Sequence, residues 1–113
     1  MCMNISKEDL LRVNKGFGGG LRSDSSIDFA IEMQDNNKLG SYKKLAHLLR
    51  AILVDHPFTD GNKRTAMFVS LAFANENKKS ANKELLLHQI VSIAKKNIIE
   101  IRVIADRIKT AIR

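Results

Sequence analysis

Apolar side chains recur along most of this chain at steps of three and four residues, the spacing that places them on one face of an α-helix. The clearest of these stripes runs through residues 42–53, and two more run through residues 83–96 and 99–113. Glycine, serine and asparagine clusters separate the stripes, and no stretch shows a convincing β pattern. The pattern predicts an all-α fold, a compact bundle of about six helices. Any hairpin would have to lie in the loop at 35–41.

Polar residues mark the expected helix boundaries. Ser6, which is followed by acidic residues, predicts the start of a first helix. The glycine-rich stretch 16–20 ends that helix and indicates a flexible hinge loop. The serine-rich stretch 23–26 then opens a second helix, and Ser41 is placed to cap a third.

The segment 62–77 differs from the others because it is apolar nearly all round, which is typical of a helix in the middle of a domain. Before it, Pro57 disfavours helix at the preceding residue, so the third helix should end near Asp55 and leave His56 extended. The sequence therefore predicts that the charged stretch 56–64 forms a loop at the N-terminus of a buried central helix.

Composition limits the domain organisation and the cellular compartment. With 113 residues, of which 44% are hydrophobic, the chain can bury one core, and a single domain over residues 1–113 is expected. No run of about 18 apolar residues is present, so no membrane span is expected, and residues 1–15 do not resemble a signal peptide. The single cysteine, Cys2, excludes an intramolecular disulfide framework and favours a cytoplasmic protein.

The net charge of +7 fits three kinds of partner: nucleic acid, nucleotide phosphates or an acidic protein. The basic residues are spread along the chain instead of clustering in one helix, and aromatic residues do not interleave with them. Nucleic-acid binding is therefore the least favoured of the three.

The stretch His56–Arg64 combines the groups that chemistry on a phosphate requires. The imidazole of His56 can accept a proton from a hydroxyl at neutral pH. Asp60 offers the hard oxygen ligands that suit Mg²⁺ shared with nucleotide phosphates. Gly61 permits a tight turn into the next helix, whose first N–H groups would point at an anion.

The remaining residues of this stretch support the same chemistry. Lys63 and Arg64 add positive charge for a phosphate, and Asn62 can form hydrogen bonds that lock the loop or contact a nucleotide. Phe58 is placed to anchor the loop in the core. Each residue alone has an ordinary structural explanation, but their order and position before a buried helix favour a functional site.

The run H-x-F-x-D-G-N-K-R at 56–64 resembles the motif of the Fic/Doc family. The resemblance implies that His56 deprotonates a hydroxyl of a target protein, that Asp60 binds Mg²⁺, and that Gly61 and Asn62 hold the phosphates of ATP, with Arg64 as a further phosphate contact. It also implies a short flap that docks the target backbone as an added strand, within residues 35–41.

The motif departs from the AMP-transferring pattern G-N-G-R-x-x-R at two positions. Lys63 stands in place of the second glycine, and Met67 stands in place of the second arginine. Both departures resemble the short death-on-curing (Doc-like) branch, in which a γ-phosphate is transferred. Gly61 points the other way, because that branch's best-known form has alanine there.

The leading hypothesis is a Doc-like toxin of a toxin–antitoxin pair, which uses Mg²⁺ and ATP to phosphorylate a hydroxyl of a translation protein such as an elongation factor. The alternative within the family is transfer of AMP by the same site. No S/T-x-x-x-E-G/N inhibitory segment is present, so a separate antitoxin protein would restrain the enzyme. A third alternative is a non-catalytic basic binding module, which the net charge supports.

Overall fold

The computed structural model describes residues 5–113, which form six α-helices. In chain order these are α1 (Lys7–Gly16), α2 (Ser25–Met33), α3 (Ser41–Leu53), α4 (Asn62–Glu76), α5 (Lys83–Lys96) and α6 (Ile101–Ala111). This part of the chain contains two isolated bridges, Leu21 with Phe58 and Ala81 with Ile112, and no strand. The predicted all-α bundle is confirmed, and Cys2 lies outside the described residues.

Two of the helix starts illustrate how local chemistry sets the boundaries. The Ser6 hydroxyl accepts from the Asp9 N–H at 3.1 Å, and the Asp9 carboxylate accepts from the Ser6 N–H, so the two residues form a capping box. The prediction that Ser41 caps α3 is wrong, because the carbonyl of Gly40 already accepts the first helical hydrogen bond, from Lys44. Ser41 is the first residue of the helix.

The helix α3 is the centre of the core and contacts α2, α4, α5 and α6. Its buried face is wider than one stripe at helical spacing, since Leu48 and Ala51, which the prediction did not include, are also buried. The predicted positions are Tyr42, Leu45, Ala46, Leu49, Ile52 and Leu53. A helix with neighbours on most sides has little room for a solvent-exposed face. Even Lys44 on this helix has a buried side chain.

The helix α4 carries the charged loop at its N-terminus and packs against α1, α3 and α5. The buried side chains include two small polar ones, Thr65 and Ser70, and the Ser70 hydroxyl donates to the carbonyl of Ala66. This face of α4 is buried, as the prediction of a central helix requires. Phe68 lies on the other side and is 47% exposed.

The expected flap at 35–41 is wrong on two grounds. First, residues 35–40 form turns without strand pairing, since the Asn36 side chain accepts from the Lys38 N–H and the Asn36 carbonyl accepts from the Leu39 N–H. A short connection between two antiparallel helices leaves no room for a hairpin.

Second, this loop lies at the far end of α3 from the charged stretch. The Gln34 side chain donates to the carbonyl of Lys44 near the start of α3, whereas the Ser23 N–H donates to the carbonyl of Pro57 after its end. The 13 residues of α3 span about 20 Å. The loop therefore cannot close over residue 56.

The backbone of His56 also differs from the prediction. The helix α3 ends at Leu53, close to the expected Asp55, but His56 has φ +48°, in the left-handed region instead of the extended one. The Arg22 guanidinium donates to the carbonyl of His56. The local preference that a following proline imposes is therefore not followed here, where contacts from segment 22–23 to residues 56 and 57 hold the loop.

No helix within residues 5–113 combines the length and the apolar character that crossing a bilayer would need.

Replacement of Leu49 by alanine should lower the free energy of unfolding by about 2–5 kcal/mol, because its side chain is fully buried at the centre of the core. Leu87→Ala is the matched control, since Leu87 is 49% exposed and its loss should cost no more than about 0.5 kcal/mol. Urea unfolding of both variants measures the difference. Equal losses would contradict the central position of α3.

Candidate functional site

The residues between α3 and α4 border a cleft of about 310 Å³. Six of the seven residues singled out in the sequence line this cleft: His56, Asp60, Gly61, Asn62, Lys63 and Arg64. Leu53, Thr59 and Ala94 complete the lining. The predicted polar residues are therefore brought together around one concave surface, which we call the motif cleft.

Phe58 is the one predicted residue that does not line the motif cleft. Its side chain is 1% exposed and belongs to the core, and its backbone pairs with Leu21 in an isolated antiparallel bridge. Burial of an aromatic ring of this size ties the loop to the bundle. The polar residues on either side of Phe58 are held at the surface as a consequence.

The turn at Gly61 places the N-terminus of α4 at one end of the cleft. Gly61 has φ +73°, a left-handed conformation that residues with a side chain rarely adopt, and α4 begins at the next residue. No described side chain caps this end of α4. The N–H groups of residues 62–64 have no preceding helical carbonyl, so they are available to an anion, and the helix dipole adds to their attraction.

The Asn62 side chain locks the loop. Its Nδ2 donates to the carbonyl of Phe58 at 3.0 Å, and its Oδ1 accepts from the Phe58 N–H at 3.3 Å. Both ends of the amide are therefore used within the loop. The sequence left two roles open for the Asn62 side chain, locking the loop or contacting a nucleotide, and the geometry favours locking the loop. The backbone N–H of Asn62 remains available to a phosphate.

The charged side chains of the cleft are open to solvent. His56, Lys63 and Arg64 are exposed, and no ion pair among the described residues involves either cation. Unpaired cations beside a helix N-terminus form a surface that favours a multiply charged anion. The imidazole of His56 lies at the same cleft and can take up a proton there.

Asp60 is the one carboxylate among the residues lining the motif cleft. Its Oδ1 accepts from the Gly61 N–H at 2.8 Å, which fixes the carboxylate beside the turn. Within residues 5–113 no group of three or more histidine, cysteine or acidic side chains could hold a metal ion by itself. One carboxylate beside an uncapped helix N-terminus fits Mg²⁺, which is commonly held by one or two carboxylates and the phosphates of a nucleotide.

Asn14 is part of the site and was not predicted. Its side chain is 1% exposed, and its Nδ2 donates to the carbonyl of Asp60 at 2.8 Å and to the Thr65 hydroxyl at 3.1 Å. It thus joins α1 to the loop and to the first turn of α4. No sequence signal indicates this role, because an asparagine within a polar helix is normally exposed.

The glycine-rich segment 16–20 is not the free hinge that was expected, because it is docked against the loop. The Thr59 N–H donates to the carbonyl of Gly20 at 2.9 Å, and the Gly20 N–H donates to the Thr59 hydroxyl at 3.1 Å. A Cβ atom at Gly19 would lie 2.3 Å from the carbonyl oxygen of Asp60. The absence of a side chain at Gly19 is what allows the two segments to touch.

Comparison with known families agrees with the motif. The model of the Fic/DOC family matches residues 6–74, which include α1 to α3, the loop and most of α4. No curated protein and no solved structure matches the chain significantly.

Replacement of Gly19 by alanine should displace the loop, because the added methyl group meets both the Asp60 carbonyl and the Asn14 side chain. We expect a loss of about 1–3 kcal/mol in the free energy of unfolding and altered NMR signals of the Asp60 and Gly61 amides. Gly16→Ala is the control, since nothing lies within 4 Å of its Cβ position. If the two variants behave alike, the close contact at Gly19 does not exist.

Proposed function

This chain belongs to the Fic/DOC family, and we propose that it is a Doc-like transferase that moves the γ-phosphate of ATP to a hydroxyl of a translation protein. Membership of the family implies a protein-modifying transferase that uses ATP with a divalent metal. The Doc-like branch, the transferred group and the target are parts of the proposal. An elongation factor is the target class that the branch implies, and the cytoplasm is where such a target would be met.

The observation that carries the proposal is the composition of the motif cleft. One base, one carboxylate and two unpaired cations surround the free N–H groups at the start of α4. Each group suits one part of a phosphoryl transfer, in which positioning and electrostatic stabilisation supply most of the rate. A site for a neutral or cationic ligand would not need this combination.

The reaction has a simple balance of atoms. The target hydroxyl gives its proton to His56, and its oxygen forms a bond to the γ-phosphorus of ATP. The bond between that phosphorus and the oxygen bridging it to the β-phosphate breaks, and ADP leaves with the electron pair. The N–H groups of residues 62–64, with Lys63 and Arg64, stabilise the charge that develops on the phosphate oxygens.

Asp60 would hold Mg²⁺ through the carboxylate oxygen that does not accept from Gly61. When bound, the metal neutralises charge on the phosphates and orients them. The chain itself contributes the position of the carboxylate, which the Asn14 bond to the Asp60 carbonyl maintains.

The arginine content of the cleft supports phosphate transfer over AMP transfer. Arg64 is the one arginine among the lining residues. Met67, one turn further along α4, is partly buried against the core and supplies no second guanidinium. The alternative of AMP transfer is supported by Gly61, whose lack of a side chain matches the AMP-transferring pattern.

The target backbone would dock on residues 20–22 instead of the loop at 35–41. One edge of this extended segment pairs with the motif loop, since the Arg22 N–H donates to the Pro57 carbonyl and the Thr59 N–H donates to the Gly20 carbonyl. Leu21, between these two residues, is 44% exposed, and no described group pairs with its backbone on the outer edge. A peptide can add a strand to such an edge.

Restraint of the enzyme would come from an antitoxin protein that covers the site or its surroundings. Nothing within residues 5–113 occupies the motif cleft, and the exposed charges there remain accessible. A separate acidic partner would complement the net charge of +7.

His56→Ala should reduce transfer about 10²- to 10⁴-fold, because the general base is lost. The measurement uses ATP labelled separately at the α- and γ-phosphates, with Mg²⁺ and a translating cell extract. His88→Ala is the control, since His88 is exposed on α5 and does not line the motif cleft.

Label that reaches a protein only from the γ position supports phosphate transfer, and label only from the α position identifies AMP transfer instead. Transfer that is undiminished in His56→Ala would exclude His56 as the base. Absence of any label, combined with salt-sensitive nucleic-acid binding that survives this substitution, would support the non-catalytic basic module.

Asp60→Asn should raise the Mg²⁺ concentration needed for half-maximal transfer more than about tenfold, because the substitution removes the charged ligand but keeps the shape of the side chain. The control is Asp106→Asn, which removes one carboxylate from the exposed face of α6. Both are measured by transfer rates over a series of Mg²⁺ concentrations. If Asp60→Asn needs the same Mg²⁺ concentration as the wild type, Asp60 is not a ligand of the metal.

A further inference from the structure

A second cleft, of about 420 Å³, lies between the start of α2 and the C-terminal half of α3. We call it the serine cleft, and its polar lining consists of Ser23, Ser25, Ser26, His47, Arg50 and Asp55. None of these residues lines the motif cleft or takes part in the proposed transfer. The polar character of the lining therefore needs a separate explanation.

The start of α2 offers several unused hydrogen-bond donors to this cleft. Asp24 occupies the N-cap position, but its carboxylate bonds the Lys7 ammonium at 3.1 Å and accepts no backbone N–H of α2. The first helical bond runs from the Asp28 N–H to the Asp24 carbonyl, so the N–H groups of residues 25–27 have no helical acceptor. The hydroxyls of the three serines make no hydrogen bond within the described residues, and they add to these donors.

The α3 side of the cleft contributes a guanidinium that has no acidic partner. Arg50 donates once, to the carbonyl of Ile99 at 3.3 Å, and takes part in no ion pair among the described residues. The one carboxylate in the lining, Asp55, is exposed, so water screens its charge. Most of the donors of Arg50 are left for another acceptor.

His47 lies on the α3 side of the same cleft, one helical turn from Arg50. Its Nδ1 is buried and has no hydrogen-bond partner, and its ring packs edge-on against Phe29 with the centroids 5.8 Å apart. Burial, and secondarily the charge of Arg50, lower the pKa of His47 from its usual range, so the ring is neutral near pH 7. An anion bound beside Arg50 would act on the imidazole through its charge, which makes His47 a reporter of binding in the cleft.

We propose that the serine cleft binds an oxyanion, either the carboxylate of an acidic side chain or the phosphate of a phosphorylated one, on the protein whose hydroxyl is modified. The Arg50 guanidinium, the serine hydroxyls and the free N–H groups of α2 are its donors. An oxyanion with several acceptor oxygens satisfies donors of this kind together, which a neutral group with one acceptor cannot.

The position of the serine cleft connects it with the target peptide. Ser23 lines the cleft and follows directly on the extended segment 20–22, and its N–H donates to the carbonyl of Pro57. A peptide paired with the outer edge of that segment would pass both clefts. Binding of the oxyanion would then fix the register of the target peptide along segment 20–22, so that a hydroxyl elsewhere on the peptide reaches His56. This role in positioning the target rests on the proposed function.

Titration with sodium sulfate and with sodium acetate, followed by the NMR signals of His47, tests binding without any transfer reaction. A bound anion stabilises the charged imidazole, so the pKa of His47 should rise when the anion is added. A rise with sulfate alone identifies a phosphate-type ligand, and a rise with acetate identifies a carboxylate. No change with either anion overturns the proposal.

Arg50→Gln should weaken anion binding about tenfold or more, because a charge-assisted contact is lost. Arg102→Gln is the matched control, since Arg102 is exposed on α6 and lines no part of the cleft. Because Arg50→Gln also removes the bond to Ile99, a Ser25→Ala and Ser26→Ala double variant tests the site while leaving that bond in place. Undiminished binding in both variants would overturn the assignment.

In His56→Ala, sulfate or acetate should shift the pKa of His47 as in the wild type, because His56 lies in the other cleft. If transfer is confirmed, Arg50→Gln should raise the KM for the target protein and leave the KM for ATP and kcat unchanged. Equal changes in both KM values would contradict a role in target recognition. Failure of transfer with retained anion binding would instead count against the proposed function alone.

Discussion

The hydrogen bond from Asn14 Nδ2 to the Asp60 carbonyl is the contact on which the candidate site depends. It holds the backbone of the motif loop at Asp60, between His56 and the turn at Gly61. The contact requires Gly19, since a Cβ atom there would meet both partners at 2.3 Å. A backbone bond of this kind fixes the loop without using any side chain that the chemistry needs.

Two features of the site are unfavourable by themselves. His56 has a positive φ, which residues with a side chain rarely adopt, and Asn14 Oδ1 is buried without a hydrogen-bond partner. Such features cost free energy and persist only where the surrounding structure imposes them. Here the core beneath the loop supplies that stability, because Phe58 is buried in it and α3 packs against four other helices.

The two clefts share one stretch of backbone. His56 faces one cleft and Asp55 faces the other, and the extended segment 20–22 runs antiparallel to residues 57–59 just after them. Groups on a single bound peptide could therefore be recognised on one side and modified on the other. In the proposed docking mode, the same segment links the target peptide to the geometry of the motif loop, so a change in one would alter the other.

The sequence by itself determined the helical segments and the chemistry of the stretch 56–64, because helix periodicity, capping and a compact motif are local properties. It did not determine the roles of Asn14 and Gly19, the true conformation of His56, or the segment that lies beside the motif loop. Those depend on contacts between residues far apart in the chain, which the packing of α1 against α4 and of α2 against α3 brings together. Chain connectivity alone places the loop at 35–40 at the start of α3, whereas the position of segment 20–22 beside residues 57–59, at the other end, depends on the packing of α2 against α3.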